Sequence, residues 1–137
     1  MDVRKCCERA FTLAETARVA RVPESTIRTW LARTESGFGE KRRGRILFSM
    51  TDMLGLRLAG ELVGCGHEPQ RAMWTAEAMA VTACDPDDVA FVQGADVKIR
   101  KAGEFPPVDR TTVVIPIGRM AADTFAEASA LYETPAG

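Results

Sequence analysis

The sequence predicts an α+β fold, mainly α, and two observations carry that expectation. Apolar residues recur at helical spacing, between recognisable caps, through about residue 83. At Asp85-Pro86 that period stops, and short runs rich in β-branched residues follow. Charge is divided unevenly along the chain: residues 1–57 hold 12 Lys+Arg against 7 Asp+Glu, a balance of +5, whereas residues 58–137 hold 6 against 12, a balance of −6.

Residues 1–10 lack periodicity and read as a disordered lead-in. Order is expected from Phe11, because Thr12 followed by Glu15 is a capping box and Phe11 is placed to pack back on the first turn. The first helix covers about residues 13–20, with Leu13, Ala17 and Ala20 on one face. Val22-Pro23 ends it, since proline disfavours helical geometry in the residue before it. A second helix over residues 24–33 turns Ile27, Trp30 and Leu31 inward and leaves Ser25, Thr26, Arg28, Thr29 and Arg33 largely outward.

Residues 34–44 contain three glycines with Lys41, Arg42 and Arg43, the composition of a mobile loop, and lead into a short extended piece at 45–48. Ser49 with Asp52 forms a second cap, and Leu54, Leu58 and Leu62 continue a third helix until Gly64 and Gly66, although Gly55 and Gly60 weaken that pattern. Glu68-Pro69 opens a fourth helix to about residue 83, with Ala72, Met73, Ala76, Met79 and Ala80 as its apolar stripe. Residues 89–92, 97–100 and 112–117 then read as strands, with Gly94-Ala95 turning a hairpin, and residues 120–132 read as a last helix before the Pro135 tail.

The 46% hydrophobic content suits one core, or a small domain with an appended subdomain. There is no Cys/His metal spacing among Cys6, Cys7, Cys65 and Cys84, and no apolar run long enough to span a membrane. The expectation is a cytoplasmic, nucleoid-associated protein with reduced thiols, no metal and no cofactor. Asp85, Asp87 and Asp88 read as a turn after a helix, and His67 as a solvated or carbonyl-capping side chain. No nucleophile-base pair, phosphate loop or paired catalytic acids are present, so an enzyme is not expected.

Two short helices joined by a tight turn, the second with a small, polar and basic outer face, meet the geometric demand of DNA's major groove. Ser25, Thr26, Arg28, Thr29 and Arg33 on the helix, with Lys41, Arg42, Arg43 and Arg45 after it, are the candidate DNA-binding residues. Hydroxyls bond bases or phosphates, an arginine clamps guanine, and the later cations neutralise phosphates. Trp30 and Phe48 read as core.

Through Phe11-Thr12-Leu13-Ala14-Glu15-Thr16-Ala17, Val22, Ser25-Thr26-Ile27-Arg28-Thr29-Trp30, Leu47-Phe48-Ser49, Asp52-Met53-Leu54 and Leu58, the chain resembles the MerR-like winged helix-turn-helix family. The resemblance covers about residues 11–82 and implies that Thr26 and Arg28 fall on DNA-contacting positions. It departs at Ile46, where the family has arginine two residues before the wing aromatic, and at Asp85-Pro86, where the family continues a long dimerisation helix. The expected organisation is thus a lead-in at 1–10, an N-terminal winged helix-turn-helix at 11–84, and a small C-terminal β-strand/helix subdomain at 85–137 for dimerisation or regulation.

The function implied is a bacterial, prophage-type transcriptional regulator that binds double-stranded DNA as a homodimer through residues 87–134. A phage or mobile-element DNA-processing or architectural factor, excisionase-like or small-terminase-like, is the rival reading. A protein-interaction module whose acidic half docks a basic partner is a third.

Overall fold

A computed structural model describes residues 6–82, 85–107 and 109–133. Residues 1–5 of the expected lead-in, the expected end of the fourth helix at 83, Cys84 and the Pro135 tail lie outside the described residues. The described residues form an α+β fold, about half helical, with five helices of eight or more residues and two small antiparallel sheets.

Helix α1 (Leu13–Ala20) starts at the expected capping box: the Glu15 amide donates to the Thr12 hydroxyl, and the Thr12 amide donates to the Glu15 carboxylate. Arg21 closes it in the left-handed conformation, φ 59°, and after Val22 and Pro23 the chain enters α2 (Glu24–Arg33). Three residues therefore separate the two helices, and buried Val22, Ile27 and Trp30 hold the corner against the core.

Strands β1 (Glu40–Arg42) and β2 (Arg45–Leu47) pair antiparallel, Lys41 opposite Ile46, around a two-residue loop. Arg43 and Gly44 both have positive φ, 51° and 78°, the pattern of a type I′ turn whose twist matches its strands. The sequence suggested only the second strand, since Glu40-Lys41-Arg42 lies exposed on both faces and carries no alternation. Just beyond β2, Phe48 exchanges backbone hydrogen bonds with Phe11, which ties the hairpin's exit to the start of α1.

The centre of the molecule is α3 (Met50–Gly64), buried on nearly every side through Met50, Met53, Leu54, Leu56, Leu58, Ala59 and Leu62. A helix apolar all round has to be enclosed by others, and α1, α4 (Pro69–Ala80) and α5 (Ile117–Glu133) pack on it. It ends in a Schellman motif: His67 donates to the Leu62 carbonyl and Gly66, at φ 97°, to that of Val63.

The second sheet places β3 (Asp88–Gln93) between β4 (Asp96–Lys101) and β5 (Val113–Ile115), with Gly94-Ala95 turning the β3–β4 hairpin as expected. Its inner residues Ala90, Val92 and Ile115 join Ala20, Ile27, Trp30, Leu58 and Met73 in one apolar cluster, so the core runs continuously from the first helices into the C-terminal strands. A second cluster brings Ala128, with Phe125 and Leu131, from α5 onto Phe11, Val19, Met50 and Met53. Arg21 and Glu127 form an ion pair at 3.1 Å across the same contact.

Asp85, Asp87 and Asp88 converge, but the ammonium of Lys101 lies among them, 3.6 Å from Asp87 and 2.8 Å from Asp88. Its hydrogen bond to Asp85, above all, holds the Lys101 pKa well above the ordinary lysine value. The cluster is a lysine-neutralised turn at the foot of β3.

Gly55 explains a weakness in the helical pattern of α3. The Phe38 ring occupies the space beside it, and a Cβ at this position would come 2.2 Å from Phe38 Cε1, whereas at Gly64 it would meet nothing within 4 Å. Gly55→Ala should lower unfolding free energy by about 1–3 kcal/mol through overpacking. Gly64→Ala, in the same helix, should be neutral or stabilise by up to about 1 kcal/mol. Urea denaturation of both variants checks the pair, and equal effects would exclude the Phe38 contact as the cause.

Candidate nucleic-acid interface

The inward stripe of α2 is bound to the core by Ile27 and Trp30, which leaves the opposite face to solvent. Ser25, Arg28, Thr29 and Arg33 are exposed, as expected; Thr26 is half-buried because it sits at the edge of that stripe. The Thr29 hydroxyl donates to the Ser25 carbonyl one turn earlier at 2.9 Å, so it offers an incoming group only its acceptor capacity.

Lys41, Arg42, Arg43 and Arg45 are all exposed on the β1–β2 hairpin. Between this hairpin and the helices lies an open groove of about 550 Å³. Arg28 from α2 and Lys41 and Arg45 from the hairpin line it, with Thr12, Leu13 and Ala14 from the start of α1, and no carboxylate lines it. The amides of Leu13 and Ala14 belong to the first helical turn, which has no intrahelical acceptors, so this wall also presents the positive end of the helix dipole.

The remaining candidates, Ser25, Thr26, Thr29, Arg33, Arg42 and Arg43, lie outside that lining. Arg42 pairs with Glu40 at 3.2 Å. Among the described residues, Arg28, Arg33, Lys41, Arg43 and Arg45 have no carboxylate within 4.0 Å. Five exposed cations are thus left without internal neutralisation on α2 and the hairpin.

The hairpin is held beside α2 by Asp52, legible in the sequence only as a cap, and by Arg9, Gln70 and Glu77, which the sequence pattern did not single out. Arg9 donates from Nε to Asp52 at 3.1 Å and also bonds the Gly37 carbonyl, with Glu40 3.7 Å away. The Asp52 hydrogen bond is the main cause of a raised Arg9 pKa. Asp52 in turn accepts the amides of Ser49 at 2.9 Å and Gly39 at 3.3 Å.

From α4, Gln70 exchanges hydrogen bonds with the backbone of Glu35 at 2.8 and 2.9 Å, and Glu77 accepts the Gly37 amide at 3.1 Å. Phe38 drops its ring into the core. Residues 34–39, glycine-containing and expected to be mobile, are therefore pinned from three sides. Asp52 carried a legible local signal through its spacing to Ser49, but nothing local links it to Arg9, 43 residues earlier.

Asp52→Ala should leave two backbone N–H donors, those of Ser49 and Gly39, without their acceptor and Arg9 without its ion-pair partner, at a cost of about 2–4 kcal/mol. It should also raise amide hydrogen exchange at 37–42 more than in α4. Uniform loss of protection across the chain would instead assign Asp52 a purely global role. No protein-family model matches this sequence, and no curated protein matches it significantly.

Proposed function

We propose that the protein is a sequence-specific DNA-binding transcriptional regulator in which α1, α2 and the β1–β2 hairpin act as a MerR-like winged helix-turn-helix. The observation that carries this reading is the groove between α2 and the hairpin, which Arg28, Lys41 and Arg45 line without an opposing acid. Cations held in place without internal partners have a ready counterpart in the phosphates of a duplex, and each such contact displaces condensed counterions.

In this reading α2 enters the major groove. Arg28, on its exposed face, reads guanine through a bidentate contact, with Ser25 and the Thr29 oxygen available to neighbouring groups. Thr26, half-buried, contributes from the edge. Lys41 and Arg45 neutralise phosphates on one side of the groove and Arg43 does so at the hairpin tip, while the Leu13 and Ala14 amides suit a phosphate oxygen on the other side. Specificity and affinity then come from different residues.

The C-terminal sheet supports a homodimer. β5 is an edge strand of three residues, and Val114 on it is 54% exposed. Two copies would read two half-sites, which multiplies specificity beyond what one small domain supplies.

Fluorescence anisotropy with the DNA upstream of its own coding sequence tests the reading. Wild type should prefer that DNA over a scrambled duplex, and Arg28→Ala should lose about 1–3 kcal/mol of that preference. Lys41→Ala and Arg45→Ala should weaken both duplexes alike and each lower the slope of log K against log salt by about 1. Binding to neither duplex would overturn DNA recognition, and tiling of adjacent sites with strong bending would reassign the protein to DNA packaging or processing. Light scattering at micromolar concentration should give twice the chain mass; a monomer both free and on DNA would exclude the dimer.

A further inference from the structure

On the flank formed by α3, β5 and the start of α5, a second cavity of about 330 Å³ opens beside a charged group that the DNA reading does not use. Arg57 is 91% buried, being 9% exposed, in the middle of the central helix. A guanidinium has five N–H donors, yet the single side-chain hydrogen bond that Arg57 makes among the described residues is from Nη1 to the hydroxyl of fully buried Thr124, at 3.1 Å. No carboxylate lies within 4.0 Å of it among the described residues. Its other nitrogens are not among the fully enclosed, unpartnered atoms of the described residues, so they keep contact with solvent and offer an arriving anion charge-assisted donors that have no internal counterion.

The walls that share the cavity with Arg57 are apolar: Val113, Ile115 and Pro116 from the β5 segment and Met120 from α5, with Val114 exposed at the rim. Glu61, one turn along α3, also lines it, is exposed, and forms no ion pair with Arg57. A buried cation at one end, hydrocarbon walls, and a single carboxylate at the edge select a particular ligand chemistry. The cation takes an anionic head, the walls take an apolar body, and Glu61 disfavours a second negative charge.

We propose that this cavity binds a small organic monocarboxylate, its carboxylate against the Arg57 guanidinium and its hydrocarbon portion against Ile115, Pro116 and Met120. Thr124 acts as a positioning residue, since its hydroxyl accepts from Nη1 and restrains the guanidinium, leaving the other N–H groups for a ligand. The site does not depend on the DNA reading and stands or falls without it.

Titration of the DNA-free protein with hexanoate, followed by amide chemical shifts, tests the proposal, with neutral hexanamide as the control for shape. Hexanoate should give saturable shifts confined to 57–65 and 113–124, with hexanamide at least about tenfold weaker. Arg57→Gln should abolish saturation. Cys65→Glu, an exposed position on the cavity lining away from the β5 edge, should weaken hexanoate by about tenfold even if Arg57→Gln fails to fold. Equal binding of the two probes, shifts that are linear and dispersed, or hexanoate binding unchanged in either folded variant would overturn the site and leave a water-filled cleft.

Discussion

Four parts of the chain meet at the carboxylate of Asp52. It accepts the Ser49 amide and so opens the central helix, takes the Gly39 amide and so fixes the approach to the hairpin, and holds Arg9 from the segment before α1. Arg9 then reaches the Gly37 carbonyl. A carboxylate with its side chain only 8% exposed tolerates that burial because its Oδ2 accepts from Arg9, Gly39 and Ser49. This buried anion, together with Gln70, Glu77, Phe38 and the Phe11–Phe48 bridge, sets the position of the basic hairpin whose Lys41 and Arg45 share a groove with Arg28.

The central helix distributes that constraint. Because α3 is enclosed on nearly all sides, the elements that pack on it share a core: α1 on one flank, α4 on another, and α5 returning from the C-terminal sheet. The last helix is therefore tied to the basic N-terminal half through Phe11, Val19, Met53 and Ala128 and through the Arg21–Glu127 pair. Arg57 follows from the same arrangement. A helix with so little free surface has almost nowhere to place a charge, and the guanidinium emerges only at the seam with β5.

Much of the local structure was legible because local chemistry specifies it. The spacings Thr12 to Glu15 and Ser49 to Asp52 mark both capping boxes, Gly94-Ala95 marks the second hairpin, and the Ile27-Trp30 stripe separates the inner from the outer face of α2. The segment 34–44 misled the sequence reading, because glycines and charges read as mobility while the ordering comes from Arg9, Gln70 and Glu77, all distant in sequence. Phe38 was the one local hint. Candidate cations were likewise visible as residue types, but that Arg28 faces Lys41 and Arg45 across one groove is a long-range fact. Gly55 looked like a defect in a helix until its missing side chain proved to be the room that Phe38 occupies.

The tip of the basic hairpin bears on how this surface evolves. Arg43 holds a left-handed backbone, φ 51°, at a turn position where asparagine or glycine would be relaxed and a long side chain is not. Its guanidinium has no acid to justify that strain from within the molecule. Asparagine or glycine at this exposed turn would relax the backbone and remove one positive charge from the hairpin tip. Selection for thermostability alone should therefore be expected to erode that charge.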